Sequence, residues 1–136
     1  MADSPLVKKL QLKPGQRAII TNAPPGYLGQ LAPLPEGVEL ADKPEGTFDF
    51  VQLFVNVLLE LGQMAPAAIG AVKRDGLLWV SYPKQSPKLK TDINRDTCRG
   101  ALQKLGVEAV SQVAINEVWS ALRFRSADLV GRNKQD

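Results

Sequence analysis

The residues able to do chemistry gather in two places. Lys84, Ser86, Lys88, Lys90 and Thr91 lie in one loop between an apolar strand and a helix start. Ammonium groups and hydroxyls beside the backbone N–H groups of a first helical turn suit a small anion. The second place is "NAPPGY", Asn22 to Tyr27, directly after the β-branched run "RAIIT". If that loop touches a ligand, Asn22, Gly26 and Tyr27 are the contacts on one wall, with Asn56 and Tyr82 at the ends of neighbouring strands. Each place also has a plain alternative. The lysines can be a solvated loop, and the prolines a rigid turn that caps the sheet.

Composition narrows the reaction types. The 136-residue chain has no histidine and one cysteine, Cys98. It therefore lacks the commonest general base, the Ser-His nucleophile pair and the commonest metal ligand. Catalysis would have to rest on Asp, Glu, Lys, Tyr or on positioning alone. Gly26-Tyr-Leu-Gly29 is not followed by the Lys-Ser/Thr of a phosphate loop, and it is not a dinucleotide fingerprint. Tyr82-Pro-Lys84 is too close for the Tyr-x-x-x-Lys pair of short-chain dehydrogenases. Cys98 falls on an apolar helix face and reads as packing. Asp49 starts a strand, at the end away from the candidate loops.

The net charge of +3 equals the excess in Pro83 to Arg99, where five basic residues oppose Asp92 and Asp96. An excess of that size does not point to nucleic acid, for which affinity would have to fall steeply with salt. Trp79, Trp119, Phe48, Phe50, Phe54 and Phe124 sit in strands and read as core. Tyr27 and Tyr82 are the aromatics expected at the surface. No apolar h-region opens the chain and no apolar run is long enough to span a bilayer, so a cytoplasmic protein without a membrane segment is expected.

These groups are positioned by an alternation of strands and helices. Residues 1–15 read as an arm, 16–125 as a single α/β domain, and 126–136 as a flexible tail. Strands are expected at 16–21, 38–40, 48–55 and 77–82, the third so continuously apolar that both its faces must be covered. The stripe Leu58, Leu61, Ala65, Ala68, Ile69, Val72 predicts a helix, broken or kinked by Gly62 and Pro66. Asp75-Gly76 predicts a turn. Thr91 or Asp92 is the expected cap of a helix carrying Cys98, Ala101, Leu102 and Leu105, which Gly106 ends. Two alternating runs about Asn116-Glu117 predict an antiparallel hairpin.

From Phe48 onward the order resembles the later half of a class I methyltransferase. "FDFVQLFV", the 57–73 helix, "KRDGLLWVSYP", the 93–105 helix and the final hairpin take the corresponding places. The phrases "NAPPGY", "FDFVQLFV", "LLWVSYPK", "KTDINRD" and "WSALRF" are similar to a family of short bacterial proteins of unknown function. The methyltransferase likeness implies a three-layer Rossmann-like sandwich with strand order 2-1-3-4-6-5. Its sheet is mostly parallel, and a crevice opens at the carboxyl ends of strands 1 and 3. The likeness also implies S-adenosylmethionine as a cofactor, with Glu39 or Asp42 as the acidic residue on the ribose. Against that, the first loop has prolines in place of an acidic-Gly-x-Gly pattern, and a strand–helix unit is missing between Leu40 and Phe48. The expectation is therefore a non-catalytic module with no cofactor, binding a small anionic ligand or a protein partner at that crevice. A divergent S-adenosylmethionine-dependent methyltransferase is the alternative. Strands 2 and 5 are expected edges, so the chain is a monomer or pairs across one of them as a homodimer.

Overall fold

The computed structural model describes residues 5–41, 43, 45–84 and 91–127. Six strands form one sheet in the order β2-β1-β3-β4-β6-β5, the order implied by the resemblance. They are β1 (Arg17–Thr21), β2 (Glu39–Ala41), β3 (Phe48–Phe54), β4 (Val72–Pro83), β5 (Val107–Ala114) and β6 (Trp119–Ser126). β1 pairs in parallel with β2 and β3, and β3 with β4. β6 is antiparallel to both β4 and β5. Among the described residues two helices lie on each face: α1 (Pro5–Leu10) and α2 (Tyr27–Leu31) on one, α3 (Leu58–Ala71) and α4 (Arg95–Gln103) on the other.

The alternation of β3 divides the core. Val51, Leu53 and Val55 face Leu61, Ala65, Cys98 and Leu102 of α3 and α4. Phe50 and Phe54 face Leu6, Val7 and Leu10 of α1 and Tyr27 and Leu31 of α2. All of these side chains are buried, so β3 has helices on both faces, as its unbroken apolar run requires.

Several local readings are corrected. The segment read as an arm carries α1, which buries Leu6, Val7 and Leu10 and, just beyond it, Leu12. Trp79 Nε1 donates to the Leu10 carbonyl at 3.0 Å, so the buried indole has its partner in that segment. Of the break or kink expected at Gly62 and Pro66, the break is absent, since α3 continues through Pro66. The helix expected to run to residue 73 ends at Ala71, and the turn expected at Asp75-Gly76 falls inside β4, which already starts at Val72, so residues 73–76 belong to the strand. They bulge out of β4, because Phe48 pairs with Val72 while Phe50 pairs with Leu77. The cap of α4 is Asn94, whose side chain accepts from Thr97 N while Thr97 Oγ1 accepts from Asn94 N. Asp92 instead caps the start of α3, its Oδ1 accepting from Leu58 N at 2.8 Å. The tail beyond Ala127 lies outside the described residues. Among the described residues no helix is long and apolar enough to cross a membrane.

Candidate functional site

The chain direction reverses between β1 and β3, and the carboxyl ends of these strands are where a ligand of this architecture is expected. Here the protein's own side chains join those ends. Asn22 follows β1 with φ of 63°, a left-handed conformation that asparagine tolerates better than most residues. Its Nδ2 donates to the Phe54 carbonyl at 2.9 Å and to Glu60 Oε2 at 3.1 Å. The other oxygen of Glu60 accepts from Asn56 N at 2.6 Å. Thr91 Oγ1 donates to the Asn56 carbonyl at 2.6 Å. One carboxylate thus ties together the loops after β1 and β3 and the first turn of α3.

The first loop folds as a cap. Pro24 and Pro25 hold it stiff, and Gly26, with φ of 83°, turns it into α2. Tyr27 then points inward, contrary to its expected exposure, because the loop turns directly into a helix whose first residue faces the sheet. It is 2% exposed. Its hydroxyl donates to Gln52 Oε1 at 2.8 Å, and Gln52 Nε2 donates to Ser81 Oγ at 3.0 Å. Burial raises the Tyr27 phenol well above its ordinary value, opposed in part by the Gln52 bond. Tyr82 is also buried, with Gln112 Nε2 donating to its hydroxyl at 3.2 Å. Burial first, then Cys98 nearby, pushes it up to about 12. Neither tyrosine presents an open face to a ligand.

Of the basic loop, Ser86, Lys88 and Lys90 lie outside the described residues. Lys84 is half-buried, and its N–H donates to the Val118 carbonyl at 2.7 Å, joining the end of β4 to the β5–β6 turn. Glu39 sits at the amino end of β2, 3.7 Å from Arg17 Nε, and so cannot hold a ribose at the carboxyl end. Asp42 lies outside the described residues. Cys98 is fully buried and pushed up to about 12 by that burial, which suits packing and not nucleophilic attack. Asp49 holds the amino end of the sheet together, accepting from Arg17 N at 2.8 Å and from Lys73 Nζ at 3.0 Å.

Open space adjoins this capped end. A groove of about 430 Å³ runs between the carboxyl half of β1 and helix α3. Ile19, Val51 and Leu53 form its floor, Met64, Ala67 and Ala68 its far wall, and Thr21, Asn22 and Gln63 its polar end. It exists because the β2–β3 link is too short for a helix, so among the described residues none covers β1 and β2 on this face. Small residues on α3 keep it wide. Sequence reading passed over Glu60 and this groove. The signals were a glutamate at the fourth residue of "VLLE" (the N3 position of α3) and the alanines of "MAPAA" facing a missing layer.

No family model matches the chain, and no curated protein matches it in sequence. Solved structures do share its fold. The N-methyltransferase NodS of Bradyrhizobium japonicum, in complex with S-adenosyl-L-homocysteine, superposes with a TM-score of 0.56 at 12% identity over 91% of this chain and 89% of that one. A SAM-dependent methyltransferase of Aquifex aeolicus gives 0.59 at 11% identity, over 88% and 86%. The ribosomal protein L11 methylase of Lactobacillus delbrueckii gives 0.56 at 12%, over 89% and 74%. The methyltransferase-like fold is thereby established, and at such identities the fold alone is shared.

Proposed function

We propose that this chain is a methyltransferase-fold module that binds a small ligand without methylating it. The ligand lies in the groove between β1 and α3, at the carboxyl side of the sheet. The observation that carries the reading is the Asn22 side chain, which bridges to the Phe54 carbonyl and Glu60 across the crevice. With Pro24, Pro25 and the inward Tyr27, it fills the place where a glycine loop would bring backbone N–H groups to a cofactor. The groove has the volume of a small-molecule site, about 430 Å³, and a mostly apolar lining with a polar end. That lining favours a largely apolar ligand over the anion expected from the lysine loop.

One observation favours a second reading, a divergent S-adenosylmethionine-dependent methyltransferase. The groove meets Thr21 and Asn22 at the switch point, and two proteins of the same fold are described as complexes with S-adenosyl-L-homocysteine. The chain has two methionines, so a ¹³C-methyl label reports on Met64 in the groove wall with Met1 as the only other signal. Titration with aromatic and branched aliphatic fragments should shift the Met64 resonance, and Ala67→Phe, which fills the groove from an exposed position, should abolish that shift. S-adenosylmethionine and its demethylated product should leave the resonance and the melting temperature unchanged. Saturable binding of either would replace this reading with the enzyme, and a Met64 signal indifferent to every fragment would remove the groove as a site.

A further inference from the structure

We infer that the opposite, amino edge of the sheet carries an oxyanion site for a phosphorylated small molecule, separate from the groove. A polar depression of about 290 Å³ lies beside the start of β3 and β4. Lys13, Lys73 and Arg123 line it with Gln11, Gln16 and Asp49. Three cations and one carboxylate make a local charge of +2, two-thirds of the net +3 of the whole chain. The Asp49 charge is offset by Lys73, whose Nζ lies 3.0 Å from Oδ1, while the Arg17 N–H holds Oδ2, so Lys13 and Arg123 carry the +2 left for an anion.

Two backbone irregularities meet in this depression. β4 spends three more residues than β3 between the pairs Phe48–Val72 and Phe50–Leu77, and this bulge brings Lys73 to the rim beside Asp49. Bulges of this kind re-aim side chains at sites. Gly76 closes the bulge where a Cβ would stand 2.9 Å from Val72 Cγ2 and 3.1 Å from the Asp49 carbonyl. On the facing side, Gln11 ends α1 with φ of 64°, where glycine is the usual residue. The glutamine supplies what glycine cannot: its Oε1 accepts from Arg123 Nη1 at 3.4 Å and steadies the guanidinium at the site. A planar guanidinium sharing one depression with the Lys13 ammonium and the Lys73–Asp49 pair matches phosphoryl oxygens, and the two glutamine amides match the hydroxyls of a sugar or polyol.

The test is titration of the ¹⁵N-labelled full chain with inorganic phosphate, pyrophosphate and ribose 5-phosphate at physiological salt. Saturable shifts are expected at the amides of Gln16, Gly76 and Leu77. Lys13→Glu, a change at an exposed side chain, should weaken binding at least tenfold. Arg99→Glu changes the net charge equally on the other face of the sheet and should alter affinity less than twofold, since exposed charges are screened beyond about 8 Å. Tighter binding of the sugar phosphate than of phosphate would show that the glutamines read the attached group. Equal binding would confine recognition to the phosphoryl oxygens. Absence of saturable shifts at these amides, or equal loss in both variants, would overturn the inference. Neither outcome touches the groove, whose reporter is Met64.

Discussion

Replacing Tyr27 by phenylalanine separates a structural tyrosine from a ligand-binding one. The Tyr27 ring lies edge-on to Phe54, with centroids 4.6 Å apart, and phenylalanine keeps that contact. Only the hydroxyl is lost, and with it the 2.8 Å bond to Gln52, which is fully buried. The Gln52 carbonyl oxygen then has no water to turn to. An unsatisfied buried acceptor costs about 1–3 kcal/mol. Taking ~2 kcal/mol, the urea midpoint should fall by roughly 1 M with an unchanged slope, and the melting temperature by about 7 °C. Removing the whole polar chain, with Tyr27→Phe, Gln52→Leu and Ser81→Ala together, should leave the protein closer to wild type than the single change, since no buried group is then stranded. A single-variant loss below about 0.5 kcal/mol would refute the reasoning. The hydroxyl would then be hydrated, and Tyr27 would return to the ligand-contacting loop in which its sequence position had placed it.

The remaining predictions concern the amino edge and the core. The Arg17 N–H and Lys73 lower the Asp49 carboxyl below its ordinary 3.8, so its contribution is fully present above that value and is lost as pH falls toward the folded-state value. The stability difference between wild type and Asp49→Asn, measured by urea unfolding, should therefore shrink below about pH 4 and stay constant above about pH 5. Gly76→Ala should destabilise by about 1–3 kcal/mol, because the added methyl meets the backbone of Asp49 and Lys73 as well as Val72. A urea midpoint equal to wild type would show that the bulge can yield. Cys98, buried and pushed up to about 12, should resist a thiol reagent in the native protein and react at the rate of unfolding in urea. Fast native labelling would place it at an opening of the α4 face.

Most of the strands and the two longer helices were legible in the residues themselves, while their order in the sheet came from the resemblance to methyltransferases. "FDFVQLFV" has no polar face to give to solvent, so it had to lie between two helical layers, and β3 does. The hairpin about Asn116 was legible because the turn is local: Asn116 Oδ1 accepts from Val118 N and Trp119 N within three residues. Periodicity and turn chemistry act over a few residues, and a single chain displays them. Tertiary structure decided what depends on distant partners. Residues 5–12 read as an arm because six helical residues show too little period, and they were assigned to the core by the Trp79 indole and the face of the sheet they cover. Thr91 and Asp92 carried capping side chains, but besides the local Ile93 N–H that Thr91 accepts from, the groups they satisfy belong to Asn56 and Leu58, more than thirty residues away. The candidate site divided along the same line. That "NAPPGY" is a stiff loop after the first strand was visible, whereas the closing of the crevice needed the Phe54 carbonyl and Glu60 to meet Asn22. The groove beside it comes from the lack of a covering helix among the described residues. A gap in a layer has no residues of its own, and only the packed neighbours reveal it.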